Sequence, residues 1–163
     1  MKVWMVDDMP ERQALLFELT GVTAPRSPHA KAALRTLLGA EPIAGFEPLE
    51  ADVWMLDHDM CITGVDEPCP MTGNQYMCRC MDGCTFIRRV THYVATRGLR
   101  WPPAVIVHSA NTVRAPEMVR LLREAGVKRV YRLPVAEWRV LQPTLKSLVT
   151  DEAANWHPAE GGR

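Results

Sequence analysis

Three short apolar runs in this chain end in the same way. Residues 2–6 read KVWMV and stop on Asp7-Asp8; Val53–Leu56 reads VWML and stops on Asp57-His58-Asp59; Ala104–Val107 reads AVIV and stops on His108-Ser109-Ala110-Asn111. Continuous apolar runs of this length, without polar alternation, suit strands whose sheet is covered on both faces. Such a sheet is parallel, its strands joined by helical crossovers of one hand. Ligands of open parallel sheets bind beyond the carboxyl ends of the strands. All three polar clusters are therefore expected at one rim.

The intervening segments carry helical spacing. Residues 10–19 place Ala14, Leu15, Leu16 and Leu19 on one face, and residues 29–38 do the same with Ala32, Ala33, Leu34, Leu37 and Leu38. Pro25, Pro28, Pro42 and Pro48 break up the stretch between the first two strands, leaving room for a weak edge strand near residues 43–46. Further helices are expected over 85–96 and 116–125, the latter stopped by Gly126, with a short fourth strand at 128–131. A last helix is expected over 135–149. The sum is an α/β doubly wound parallel sheet of about five strands in one domain, residues 1–149, with a tail at 150–163.

Composition narrows the class further. The 163 residues are 47% hydrophobic with 19 basic and 19 acidic side chains, enough for one core and too balanced for a protein that simply coats nucleic acid. No apolar run is long enough to span a membrane, and the N-terminus turns acidic where a secretory leader needs apolar residues, so a cytoplasmic setting is expected. The charge is uneven: residues 1–87 hold thirteen acids and six bases, residues 88–139 three acids and eleven bases. Solvated helix faces explain such a split, as does a site where acids hold a metal and arginines meet a phosphate.

All five cysteines, Cys61, Cys69, Cys78, Cys80 and Cys84, fall in one window, in a glycine- and proline-punctuated stretch at 60–84 without periodicity. That stretch reads as an inserted loop. In a reducing compartment four of the five thiolates suit structural Zn²⁺, although the spacing lacks paired C-x2-C knuckles and leaves free or redox-active thiols as the alternative. A loop so close to Asp59 could cover the rim.

Crowded carboxylates repel one another unless a cation neutralises them. Asp7, Asp8, Asp57 and Asp59 therefore suit a hard divalent ion, Mg²⁺ or Mn²⁺, that would hold a phosphoryl oxygen. Ser109 could donate to a second oxygen, and Asn111, Arg114 or Arg132 could bind others. A free imidazole titrates near neutral pH, so His58 and His108 could share acid and base roles, or be packing residues at two strand ends. Trp4, Trp54, Trp101 and Trp138 read as core or border residues, with base stacking the less ordinary use.

The acid pair after the first strand, VWMLD ending on Asp57, VIVHS ending on Ser109 and the Tyr131-Arg-Leu-Pro134 turn resemble the receiver domain of two-component response regulators, a flavodoxin-like fold. That resemblance implies an acid pair that binds Mg²⁺, a phosphoryl-accepting Asp57 and a coupling hydroxyl at Ser109. The receiver lysine before the proline falls at Leu133, with Arg132 one residue earlier. The motifs Leu56-Asp-His-Asp59 and Val107-His-Ser-Ala-Asn111 are more similar still to a divergent receiver-like family proposed to process cyclic phosphates. That likeness implies metal-dependent hydrolysis of a cyclic phosphodiester, on a phosphate-bearing small molecule or an RNA end, with Asp57, His58, His108 and Ser109 as the catalytic set. The alternatives are a stand-alone receiver phosphorylated on Asp57, and a non-catalytic interaction module carrying a zinc loop.

Overall fold

A computed structural model describes residues 1–59 and 82–150. Five strands, β1 (Val3–Val6), β2 (Arg26–Ser27), β3 (Val53–Leu56), β4 (Ala104–Val107) and β5 (Arg129–Arg132), form one parallel sheet in the order β2-β1-β3-β4-β5. Every residue of β1, β3 and β4 is buried, as runs without alternation require.

The side-chain period of two divides those strands between two cores. Trp4, Val6, Trp54, Leu56, Val105 and Val107 meet α2 (Ala30–Leu37), α3 (Gly83–Thr96) and α4 (Arg114–Glu124). Val3, Met5, Val53, Met55, Ala104 and Ile106 meet α1 (Pro10–Thr20) and α5 (Gln142–Val149) on the opposite face. Burying a large apolar side chain contributes about 1.5–3 kcal/mol, so neither face tolerates a one-residue register slip. Trp4, Trp54 and Trp138 are among the largest fully buried side chains, which leaves none of them free to stack on a base. Trp54 packs edge-on against both Trp4 and Trp101.

Four local expectations change. The edge strand is β2 at Arg26–Ser27, pairing with β1, whereas residues 43–46 form only an isolated antiparallel bridge between Ile43 and Phe46. Pro25 costs nothing there, because its carbonyl accepts from Met5 N–H at the sheet margin. The segment at 135–149 is a 3-10 turn, Val135–Glu137, then α5, since Pro143 favours the first turn of a new helix over the interior of an old one. α4 starts at Arg114, two residues before Pro116, and the inserted loop ends earlier than residue 84. Asp82 accepts the Thr85 N–H at 2.7 Å and caps α3, so Gly83 and Cys84 belong to its first turn. The positions of Cys61, Cys69, Cys78 and Cys80, and the tail beyond Thr150, lie outside the described residues. Among the described residues no helix is long and apolar enough to cross a membrane.

Candidate functional site

The sheet register puts the motif residues in one row. Val6, Leu56, Val107 and Arg132 are successive partners across four strands, and the ladder continues one step past each. Asp57 N–H donates to Val6 O, His108 N–H to Leu56 O and Leu133 N–H to Val107 O. Asp7, Asp57, His108 and Leu133 thus follow one another along the carboxyl rim. β1 and β3 flank the point where the strand order reverses, which is where a crevice opens in such sheets.

Asp7, Asp8 and Asp57 each offer a carboxylate oxygen, all within 4.8 Å of one another. Asp7 has no solvent exposure. Its Oδ1 accepts from Met9 N–H at 2.7 Å, and its Oδ2 lies 2.6 Å from His108 Nε2 and 3.2 Å from an Arg12 nitrogen. The same Arg12 nitrogen donates to Asp57 Oδ2 at 2.8 Å, while Asp57 Oδ1 accepts from the His58 N–H. Burial works to raise the Asp7 carboxyl, but His108, Met9 N–H and Arg12 together hold it below its ordinary value. Burial raises Asp8, and repulsion from Asp7 and Asp57 raises it further, against the opposing pull of Arg12. Arg12, though burial works against its charge, is held above its ordinary value by Asp7 and Asp57.

The donor set fits a hard divalent cation. Three carboxylates converge, and the strain on Asp8 is what such an ion relieves. The sequence pattern assigns Arg12 no role in the site. Its signal was present, an arginine one helical turn into the segment after the acid pair, but only the fold shows that it reaches both Asp7 and Asp57.

Asp59 does not join that cluster. Its side chain is mostly exposed and accepts from His58 Nδ1 at 2.7 Å. His58 turns away from the acid pocket toward α3, with Nε2 3.5 Å from Asp82 Oδ2. Burial opposes the His58 charge, but Asp82, Cys84 and Asp59 push its pKa up to about 10. The same contact with His58 overrides burial at Asp82 and brings it to about 2.

The residues after β4 are mostly engaged in structure. His108 is wholly buried, its ring against Trp138, with Nδ1 left without a partner. Ser109 is buried and its Oγ accepts from Asn111 N–H. Asn111 Oδ1 accepts from the Val113 and Arg114 N–H groups and serves the start of α4. Arg114 pairs with Glu117 at 2.7 Å, one turn along that helix. Arg132 is exposed at the end of β5, beside Arg120 and Arg123. Leu133 is buried with Trp138 and Leu145, so a receiver lysine's position holds an apolar contact instead. Of the five cysteines Cys84 is described, buried beside His58 and Asp82.

No family model matches the chain, and no curated protein matches it. Among solved structures it is similar to the N-terminal domain of a response regulator/sensory box/GGDEF 3-domain protein from Carboxydothermus hydrogenoformans, with a TM-score of 0.52 at 18% identity over 96% of this chain and 100% of that one. The likeness is one of fold: a five-stranded parallel sheet of order 2-1-3-4-5, the flavodoxin-like receiver fold.

Proposed function

We propose that this receiver-like domain accepts a phosphoryl group on Asp57 from a phosphate-bearing small molecule, with a divalent cation bound by Asp7, Asp8 and Asp57. The observation that carries this reading is the convergence of those three carboxylates at the reversal of strand order, with Asp57 beside a guanidinium. A bound Mg²⁺ or Mn²⁺ would neutralise charge on the phosphoryl oxygens and on the acids together. An Asp57 carboxylate oxygen attacks phosphorus, the donor's bond to its leaving group breaks in line, and an acyl phosphate remains. Arg12, which now bridges Asp7 and Asp57, turns its spare N–H groups to the new phosphoryl oxygens, a role left open by Leu133. Ser109, next to His108 at the adjacent strand end, keeps a hydroxyl proton to donate.

Hydrolysis of a cyclic phosphodiester by a His58–His108 pair draws less support. His108 has no exposure and gives Nε2 to Asp7, while His58 faces Asp82 and Asp59. Incubation with acetyl phosphate and Mg²⁺, read by intact mass, is expected to add a single phosphoryl group to the wild type and none to Asp57→Asn or in EDTA. No adduct on folded, Mg²⁺-saturated protein overturns the proposal. Ring opening of a 2′,3′-cyclic nucleotide or a cyclic-phosphate-ended oligoribonucleotide, lost in His58→Ala and His108→Ala, would put hydrolysis in its place.

A further inference from the structure

The carboxyl end of β3 faces two groups of ligating side chains, and only the acidic one belongs to the pocket above. The second comprises His58, Asp82 and Cys84, whose ligating atoms also lie within 4.8 Å of one another. His58 and Cys84 are buried, and Asp82 is half-buried. We propose that these three side chains form a site for a borderline divalent transition cation of the Zn²⁺ class, separate from the acidic pocket.

Four features of the geometry support a built site. His58 is 6% exposed, and its Nε2 is buried without a hydrogen-bond partner. The opposing carboxylate oxygen, Asp82 Oδ2 at 3.5 Å, is beyond the range of a good hydrogen bond. A buried imidazole nitrogen in that state is costly unless something fills the gap. Second, Asp59 Oδ1 lies 2.7 Å from His58 Nδ1, so Nδ1–H donates to it, and a cation that displaced the Nε2 proton would meet that nitrogen's lone pair beside Asp82 and Cys84. A carboxylate behind a histidine in this way is the usual outer support of a metal-binding imidazole. Third, Asp82 divides its oxygens: Oδ1 caps Thr85 N–H at 2.7 Å, and Oδ2 is left to face His58.

Fourth, the two elements that supply the ligands are clamped together. Gly83 N–H donates to His58 O at 2.8 Å, and a Cβ on Gly83 would stand 2.7 Å from Asp57 O and 2.9 Å from His58 Cα. Only glycine allows α3 to approach β3 so closely, and the approach brings Asp82 and Cys84, on either side of it, to the imidazole. The ligands are thus held by a strand end and a helix start, which fixes their geometry before any ion arrives.

The donor chemistry selects the class of ion. One imidazole nitrogen, one thiolate and one carboxylate oxygen suit Zn²⁺ and its relatives, whereas the all-oxygen set of Asp7, Asp8 and Asp57 suits Mg²⁺. Three protein ligands leave a fourth tetrahedral position for water or an incoming group. Cys84 then acts with His58 and Asp82, and the zinc set need not be four cysteines. Because His58 directly follows Asp57, an ion here would hold the backbone on one side of the phosphoryl-accepting residue.

The test is Co²⁺ titration of the reduced, metal-stripped full chain in excess Mg²⁺, read by visible absorption and by the near-ultraviolet thiolate-to-cobalt band. A variant with Cys61, Cys69, Cys78 and Cys80 all changed to Ser is expected to bind a single Co²⁺, with both signals reversed by added Zn²⁺. The further change Cys84→Ser should abolish the thiolate band, and Asp59→Asn should weaken binding about tenfold or more. Asp57→Asn should leave the spectrum in place; its loss in folded protein would put the ion in the acid pocket and overturn the proposal. Failure of the folded four-serine variant to give the thiolate band also overturns it. Where that variant does not fold, His58→Gln in the otherwise wild-type chain is expected to hold one Zn²⁺ fewer against a chelating dye, and unchanged stoichiometry overturns the proposal. None of these readouts depends on phosphorylation of Asp57, so the two proposals fail separately.

Discussion

His108 Nε2 lies 2.6 Å from Asp7 Oδ2, and neither residue has any solvent exposure. The pair joins the ends of β4 and β1 across the intervening β3 and fixes one carboxylate of the acid pocket. Losing a buried hydrogen bond to a carboxylate costs about 1.5–3 kcal/mol, because the acid is left buried with one partner fewer. His108→Ala is expected to lose about 2 kcal/mol in urea unfolding, short of the upper end because Arg12 still reaches Asp7. A loss below about 1 kcal/mol would show that Arg12 alone holds the carboxylate.

Arg12 neutralises the acid pocket and also competes with any cation for it. Arg12→Met should bind Mn²⁺ or Mg²⁺ more tightly, by about tenfold, since a shift of roughly 1.4 kcal/mol corresponds to that factor. In EDTA the same variant should be less stable by about 1.5–3 kcal/mol, the usual cost of losing charge-assisted hydrogen bonds. Cation titration followed by thermal or urea unfolding reads both effects, and their opposite signs distinguish competition from plain damage.

Gly83→Ala should be poorly tolerated although glycine seldom favours a helix. The added methyl meets the backbone of residues 57 and 58 and Met118 Cε at 2.7 Å, and backbone cannot turn aside as a flexible side chain can. Overpacking of this kind costs about 1–3 kcal/mol. Urea unfolding should show that loss, together with weaker cobalt binding by the His58 group.

In metal-free protein the His58 pKa stands at about 10 against an ordinary 6.5, so the folded state holds the extra proton more tightly than the unfolded chain. Its contribution is therefore fully present below pH 6.5 and fades as the pH rises toward 10. Asp82, held at about 2 against an ordinary 3.8, behaves in reverse: its contribution is present above 3.8 and lost as the pH falls through 2. Urea midpoints measured in EDTA from pH 6 to 10 should decline in the wild type and flatten in His58→Gln. Equal slopes in the two proteins would show that the Asp82–His58 contact carries no stability.

Much of the fold could be read directly. The unbroken apolar runs at β1, β3 and β4 and the helical spacing between them specify a parallel sheet with two covered faces, because each is a local pattern with a single economical burial. The polar residues that close the runs point to the rim for the same reason. Two-residue β2 carries no pattern of its own, since pairing with β1 defines it; the capping of α3 by Asp82 was hidden within a cysteine-rich stretch.

The roles of the rim residues were decided by tertiary structure. Sequence places Asp7, Asp57, His58 and His108 at strand ends but is silent on which way each turns. The sheet register sets Asp7 two strands from His108 and joins them, and Arg12 reaches both acids from the first turn of α1. Gly83 lets α3 close on β3, drawing His58 toward Asp82 and Cys84 and away from the acids. Hydrophobic periodicity is written locally along a chain, whereas the partner of a buried charge is chosen by whichever group the packed elements bring within about 3 Å, and that choice exists only once the fold has formed.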